Sequence, residues 1–356
     1  MMVLVAVLHG CSRRSVRRPG RDDAAYNSAS SSRRRHGACV RGRAPIASPL
    51  SHRAANQDIT QLLSIAEVRM SLRPDIPDQF VTLPNGLKVR YMEKGSGFPL
   101  LCVHGLGVTM GADQWISNFD AFAKVAHVYS IDVPGWGWSD LPDKGYSFDM
   151  WSDTLAQFCR AVGIQQTDVV GHSLGGWISI YFAHQHPEIV RRLILGVNAG
   201  LNPPVGTLTG GAYKLPDRQR VRGIHENLWR GNVEVTEEMV DELMKRLERP
   251  GRAKAYDAIR SYVGLPETRE KFSPRRLLPE LKMPVLYAWG DDADPLLLEF
   301  GLEEFRLTPH ARLAVIYRGG EMPQGYRPRE FEAAVIPFIT DKVIEPLPKV
   351  GRTGDR

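Results

Sequence analysis

Asp168-Val169-Val170-Gly171-His172-Ser173-Leu174-Gly175-Gly176-Trp177 is the stretch whose reading decides the fold. It runs from a short apolar strand, through a G-x-S-x-G turn, into an apolar helix beginning at Leu174. That strand–turn–helix context is what a nucleophile elbow requires. The serine sits in a tight turn with its hydroxyl exposed. Glycines on either side let strand and helix approach closely. The N–H of Leu174 falls at the helix start, where it can stabilise an oxyanion.

Two more loops belong with it. His104-Gly105-Leu106-Gly107 follows the apolar run Pro99–Val103, and the N–H of Leu106 is the natural second oxyanion donor. Asp132-Val133-Pro134-Gly135-Trp136-Gly137-Trp138-Ser139 follows the run Val125–Ile131. There Asp132 and the glycines read as loop-shaping residues. Trp136 reads either as a pocket wall or as packing, and His104 and His172 are further pocket candidates.

Further outward, strand-like and helix-like segments alternate. Phe80–Leu83 and Leu87–Met92 flank Pro84-Asn85-Gly86 and predict a hairpin. Arg192–Val197, Val285–Trp289 and Leu313–Tyr317 add strands. Trp115–Lys124, Ser147–Val162, Leu174–His184 and Arg329–Ile339 read as helices. The expectation is an α/β fold: a mostly parallel, doubly wound sheet with an N-terminal antiparallel hairpin. The alternation stops over residues 201–280, where helix signals occur without strands. Thr236 is a plausible N-cap, with Glu237 and Glu238 in the first turn. Val240, Leu243, Met244 and Leu247 then form one face, and Ala253–Tyr262 reads as another helix. Such an insertion predicts a helical cap, or else a simple packing excursion.

In order and spacing these motifs resemble the α/β-hydrolase superfamily, in its cap-bearing branch of serine esterases, carbon–carbon bond hydrolases and serine haloperoxidases. The resemblance covers roughly residues 78–340. It implies an α/β-hydrolase core over 70–200 and 281–345, the cap over 201–280 and a tail over 346–356. Ser173 at the elbow excludes the aspartate-nucleophile relatives, epoxide hydrolases and haloalkane dehalogenases.

The resemblance also implies the order serine, acid, histidine. The acid is expected after Val285–Trp289, in Gly290-Asp291-Asp292-Ala293-Asp294-Pro295. The family spacing falls on Ala293. Asp294 fits with one residue inserted and is preferred, with Asp292 as the alternative and an acidic surface turn as the bland reading. The histidine is expected in Gly319-Gly320-Glu321-Met322-Pro323, where Glu321 stands in its place. A neutral imidazole is a good base near neutrality, whereas an exposed carboxylate is a poor one. Burial and a neighbouring Asp294 would both raise the proton affinity of Glu321 and make it a better base.

Charge and composition bound the rest. With 43% hydrophobic and 24% charged residues in 356, a packed core is expected. No apolar run approaches the roughly 18 residues of a membrane-spanning helix. The net charge of +6 would ordinarily suggest a polyanionic partner. However, residues 1–69 hold twelve Arg against Asp22, Asp23, Asp58 and Glu67, a net +8, so the remaining 287 carry −2. A nucleic-acid partner is therefore not expected. The Arg- and Ser-rich leader reads as a transit peptide, or as sequence preceding a true start at Met70. The first gives an organelle, chloroplast or mitochondrion, and the second the cytoplasm. Its apolar opening only imitates a lipoprotein signal, since the positive charge follows the apolar run. Cys102 and Cys159 read as buried thiols, and no CxxC spacing points to a metal or disulfide.

Three functions compete. The first is a serine hydrolase acting on a small apolar ester or related carbonyl compound, with Ser173, Asp294 and Glu321 as an atypical triad, and neither metal nor organic cofactor. The second is a non-catalytic ligand- or protein-binding α/β-hydrolase fold. The third is altered chemistry, such as lyase or cofactor-free oxygen chemistry. Oligomeric state is not readable.

Overall fold

The computed structural model describes residues 71–204 and 213–340. The leader, the tail beyond 340 and residues 205–212 lie outside the described residues, as do the expectations placed on them. Eight strands form one sheet: β1 (Gln79–Thr82), β2 (Lys88–Gly95), β3 (Pro99–Val103), β4 (His127–Ile131), β5 (Thr167–Ser173), β6 (Val190–Asn198), β7 (Val285–Gly290) and β8 (Ala311–Ile316). Their order is β1-β2-β4-β3-β5-β6-β7-β8. β1 and β2 form the expected hairpin, and β2 is also antiparallel to β4. From β4 to β8 every pairing is parallel. The order turns back at β3–β5, and this is where the Gly105 loop and the elbow leave the sheet side by side.

The longer helices are α1 (Phe148–Ala161), α2 (Leu174–Gln185), α3 (Arg218–Trp229), α4 (Glu237–Glu248), α5 (Arg252–Gly264), α6 (Leu298–Leu307) and α7 (Pro328–Thr340). Ser147 caps α1 by accepting from Met150 N at 3.0 Å. Thr236 caps α4 by accepting from Met239 N, as its position implies. The helix expected over Trp115–Lys124 is instead two short pieces, Ala112–Trp115 and Phe119–Phe122. α3 and α6 were not expected; α3 has a strongly charged sequence and buries a narrow face of Val221, His225, Leu228 and Trp229.

Strand side chains alternate between two cores, one on each face of the sheet. Leu101, Val103, Val169, Leu193 and Leu195 belong to one, packed with α1 and α2. Leu100, Cys102, Val170, Ile194 and Leu286 belong to the other, with Phe331 and Val335 of α7. Burial on both faces explains why these strands read as continuous apolar runs. Among the described residues no helix is long and apolar enough to cross a membrane.

α3, α4 and α5 all lie between β6 and β7 in the chain, and polar side chains tie them to the core. Arg252 of α5 donates to the carbonyls of Gly135 and Val108, and Arg249 to those of Gly137 and Ser139. Arg246 of α4 pairs with buried Asp113. Asp113 in turn meets Arg90 at 2.7 Å, and Arg90 also meets Asp78 at 2.6 Å and Asp132 at 3.1 Å.

Candidate active site

Ser173 ends β5 and opens α2 with φ 52° and ψ −121°, a conformation that L-residues rarely hold. The neighbouring glycines explain how the turn closes. A Cβ on Gly171 would lie 2.6 Å from the Gly175 carbonyl oxygen. One on Gly175 would run into the backbone oxygens of His104 and Val103, and one on Gly176 into Asn198. No larger residue fits these three places without moving the strand or the helix.

The Gly105 loop is fixed just as firmly. His104 donates from Nδ1 to the Gly105 carbonyl at 2.8 Å, and its Nε2 accepts from Val133 N at 3.1 Å. In a trans peptide the N–H points opposite the C=O, so the bond to Gly105 O turns the Leu106 N–H the other way. Leu106 lines the cavity beside Ser173. The Trp136 indole donates to the carbonyls of Leu106 and Gly107, 3.1 Å from each. His104 and Trp136 therefore do not line the cavity as expected. Both are buried behind the loop, with their rings in edge contact at 5.1 Å, and shape it from outside. Asp132 has the loop-shaping place expected of it, accepting from Ala112 N at 2.6 Å and Trp138 N at 2.8 Å.

His172 does line the cavity, but both its ring nitrogens are engaged. Nδ1 accepts from the Gln114 amide at 2.8 Å, and Nε2 donates to the Glu321 backbone oxygen at 2.8 Å. Gln114 Oε1 also accepts from Gly105 N at 2.8 Å. One buried glutamine thus joins the Gly105 loop to the elbow, and His172 joins the elbow to the Glu321 loop. Burial holds His172 and His104 neutral, each with its pKa lowered to about 4. Neither is an available base, and neither compensates for the missing histidine. Gln114 escaped the sequence reading, because a lone Gln in a short irregular segment carries no periodic or motif signal.

Glu321 follows β8 and contributes to the cavity wall with Met322. Its carboxyl has a pKa above the ordinary carboxylate value, chiefly through burial and further through the negative charge of Asp294. Tyr326 and Arg230 oppose that rise. The Tyr326 hydroxyl accepts from Asn227 Nδ2 at 3.0 Å, and the Arg230 guanidinium lies 3.6 Å from its ring centre. Neither Tyr326 nor Arg230 was expected at the site, since both depend on how α3 meets the segment after β8. Of the two candidate acids, Asp292 accepts from Gly320 N at 2.7 Å and so braces the loop. Asp294 is exposed and not among the cavity-lining residues, but it is the one that acts on Glu321 as a like charge. Among the described residues no hydrogen bond reaches the Ser173 hydroxyl.

The cavity measures about 170 Å³. Met110, Leu106, Leu296 and Met322 supply its apolar walls, and Ser173, Gln114, His172 and Glu321 its polar points. A serine held in a strained backbone turn, the Leu106 loop beside it in the cavity wall and a carboxyl with raised proton affinity are parts suited to acyl transfer.

Comparison with known proteins agrees with this architecture. The family model for the alpha/beta hydrolase fold matches residues 99–328. A 2-hydroxymuconate semialdehyde hydrolase of Pseudomonas sp. strain CF600 is 39% identical over 123 residues, which are 34% of this chain and 43% of that protein. The chain thus spans less than half of that relative. A 2-hydroxy-6-oxononadienedioate/2-hydroxy-6-oxononatrienedioate hydrolase of Burkholderia vietnamiensis strain G4 is 33% identical over 267 residues, covering 71% of this chain and 91% of that one. Among solved structures, a meta-cleavage product hydrolase from Pseudomonas fluorescens IP01 superposes with a TM-score of 0.64 at 22% identity, covering 76% of this chain and 99% of its own, a likeness of fold. With the elbow, the sheet order and these matches in agreement, the chain belongs to the α/β-hydrolase fold family.

Proposed function

We propose that the protein is a serine hydrolase acting on a small apolar ester or related carbonyl compound, with a carboxylate in place of the usual imidazole base. The observation that carries this is Ser173 at φ 52°, opening into a cavity shared with the Leu106 loop and Glu321. The relatives' names, hydrolases of carbonyl-bearing dienoic acids, support the reaction class. In this reading Ser173 Oγ attacks the substrate carbonyl, and its proton passes to the Glu321 carboxylate. The oxyanion is held by the N–H groups of Leu106 and Leu174. The leaving group takes the proton, and water then releases the acid by the same steps. Asp294 keeps Glu321 basic by repelling its charge.

A second reading, a binding protein on the same fold, is favoured by the Ser173 hydroxyl having no hydrogen-bond partner among the described residues. Hydrolysis of p-nitrophenyl acetate by the full chain separates the two. The enzyme reading expects slow turnover that Ser173→Ala reduces at least a hundredfold, consistent with loss of a nucleophile. Equal rates in both proteins favour the binding reading.

A further inference from the structure

We propose, resting on the serine-hydrolase reading, that Met110 and Met322 close the Ser173 cavity to all but short, uncharged acyl groups, so that its substrates are short-chain neutral esters. Volume is the first argument. The cavity measures about 170 Å³. Sites for drug-sized ligands run to about 300–1,000 Å³.

The walls are the second argument. Met110 is buried, and its N–H bonds the Gly107 carbonyl at 2.9 Å, so it is fixed to the oxyanion loop. Its side chain packs so closely there that a Cβ on Gly107 would lie 2.8 Å from Met110 Cγ. Met322 directly follows Glu321, and both line the cavity. An unbranched thioether fills such gaps closely, and shortening it opens them.

Charge is the third. Among the described residues lining the cavity, the one charged side chain is Glu321, and Asp294 adds a second carboxyl nearby. Among the described residues no lysine or arginine lines the cavity, and Arg230 acts on Glu321 from outside that lining. An anionic acyl group would lie beside a like charge with no cation in the cavity lining, which is unfavourable. The step itself is ordinary acyl transfer. Ser173 Oγ bonds the acyl carbon, the ester C–O bond breaks, and the Oγ proton goes through Glu321 to the leaving oxygen. Water then restores the Ser173 hydroxyl and releases the short acid.

The test is pH-stat hydrolysis by the full chain of vinyl acetate, butyrate and octanoate, and of monomethyl against dimethyl succinate. Expected are kcat/KM values at least tenfold higher for acetate than octanoate, and at least tenfold higher for the neutral diester than the anionic monoester. Met110→Ala should raise the octanoate-to-acetate ratio at least fivefold. Met322→Ala should do the same, which covers the case of one variant failing to fold. Octanoate or the monoester hydrolysed as well as its counterpart, with Ser173→Ala inactive, would overturn this inference and leave the hydrolase reading standing. Hydrolysis of none of the esters, or equal hydrolysis by Ser173→Ala, would overturn both.

Discussion

At the scale of the residue, the account turns on one exchange, a glutamate where the family's spacing implies a histidine. Glu321 must be ionised to accept a proton. Its pKa is raised by burial and by Asp294, so ester hydrolysis should climb with pH through a midpoint above the ordinary carboxylate value. The Glu321→Gln variant should lose that limb. A pH profile of kcat/KM that is unchanged in Glu321→Gln would remove Glu321 from the mechanism. The reverse substitution is equally informative. Glu321→His should raise the rate near pH 7.5 at least tenfold if Asp294 is placed to orient the ring. Single-residue spacing was legible to this depth because the motifs fix the register on both sides. The roles of His104, His172 and Trp136 were not. Each sits in or beside a motif, yet what each does depends on partners 1 to 149 residues away.

At the scale of the element, the elbow is supported from behind by α6. Asn198 at the end of β6 pairs with Ser173 in the strand register and donates its amide to the buried Glu304 carboxyl at 2.8 Å. Glu304 is fully buried, and burial holds its pKa well above the usual value. The nearby Glu303 adds to that effect, while Asn198 and Arg275 oppose it. As a neutral acid it places no net charge in this buried position. A carboxyl whose pKa is raised on folding contributes stability that is fully present below its unfolded value, about 4.3, and lost as pH rises through the folded value. Glu304→Gln keeps a donor without the charge. Its Tm should therefore exceed that of the wild type by a margin that widens between pH 5 and pH 9. A constant margin across that range would show that folded Glu304 is already ionised there and that its pKa is not raised. Strands β3 to β8 were legible because burial on both faces leaves continuous apolar runs. α6 was not, since three glutamates interrupt its apolar residues, which are only partly buried, and its fully covered positions are Gly301 and Glu304.

At the scale of the whole molecule, helices α4 and α5 are tied to the core through buried charge as well as apolar contact. Arg90, fully buried, meets Asp78, Asp113 and Asp132, and Asp113 passes the link to Arg246 of α4. Removing the central cation leaves three carboxyls without it. Arg90→Met should cost about 3–5 kcal/mol in unfolding experiments, the usual cost of breaking a buried pair from one side. A loss below about 1 kcal/mol would mean that the network rearranges or takes up protons. These ties could not be read in advance. Arg246, Arg249 and Arg252 belong to no motif, and only folding brings them to the Gly135 loop and Asp113. What the whole chain offered instead was the alternation of strand and helix, its interruption after β6, and one elbow.

That elbow is where the central claim is tested most directly. The full chain is treated with a fluorophosphonate and the modified peptide identified by mass. The account predicts stoichiometric phosphonylation at Ser173 in the wild type and none in Ser173→Ala. An unlabelled Ser173 in the folded protein, or equal labelling of the Ser173→Ala chain, would contradict it.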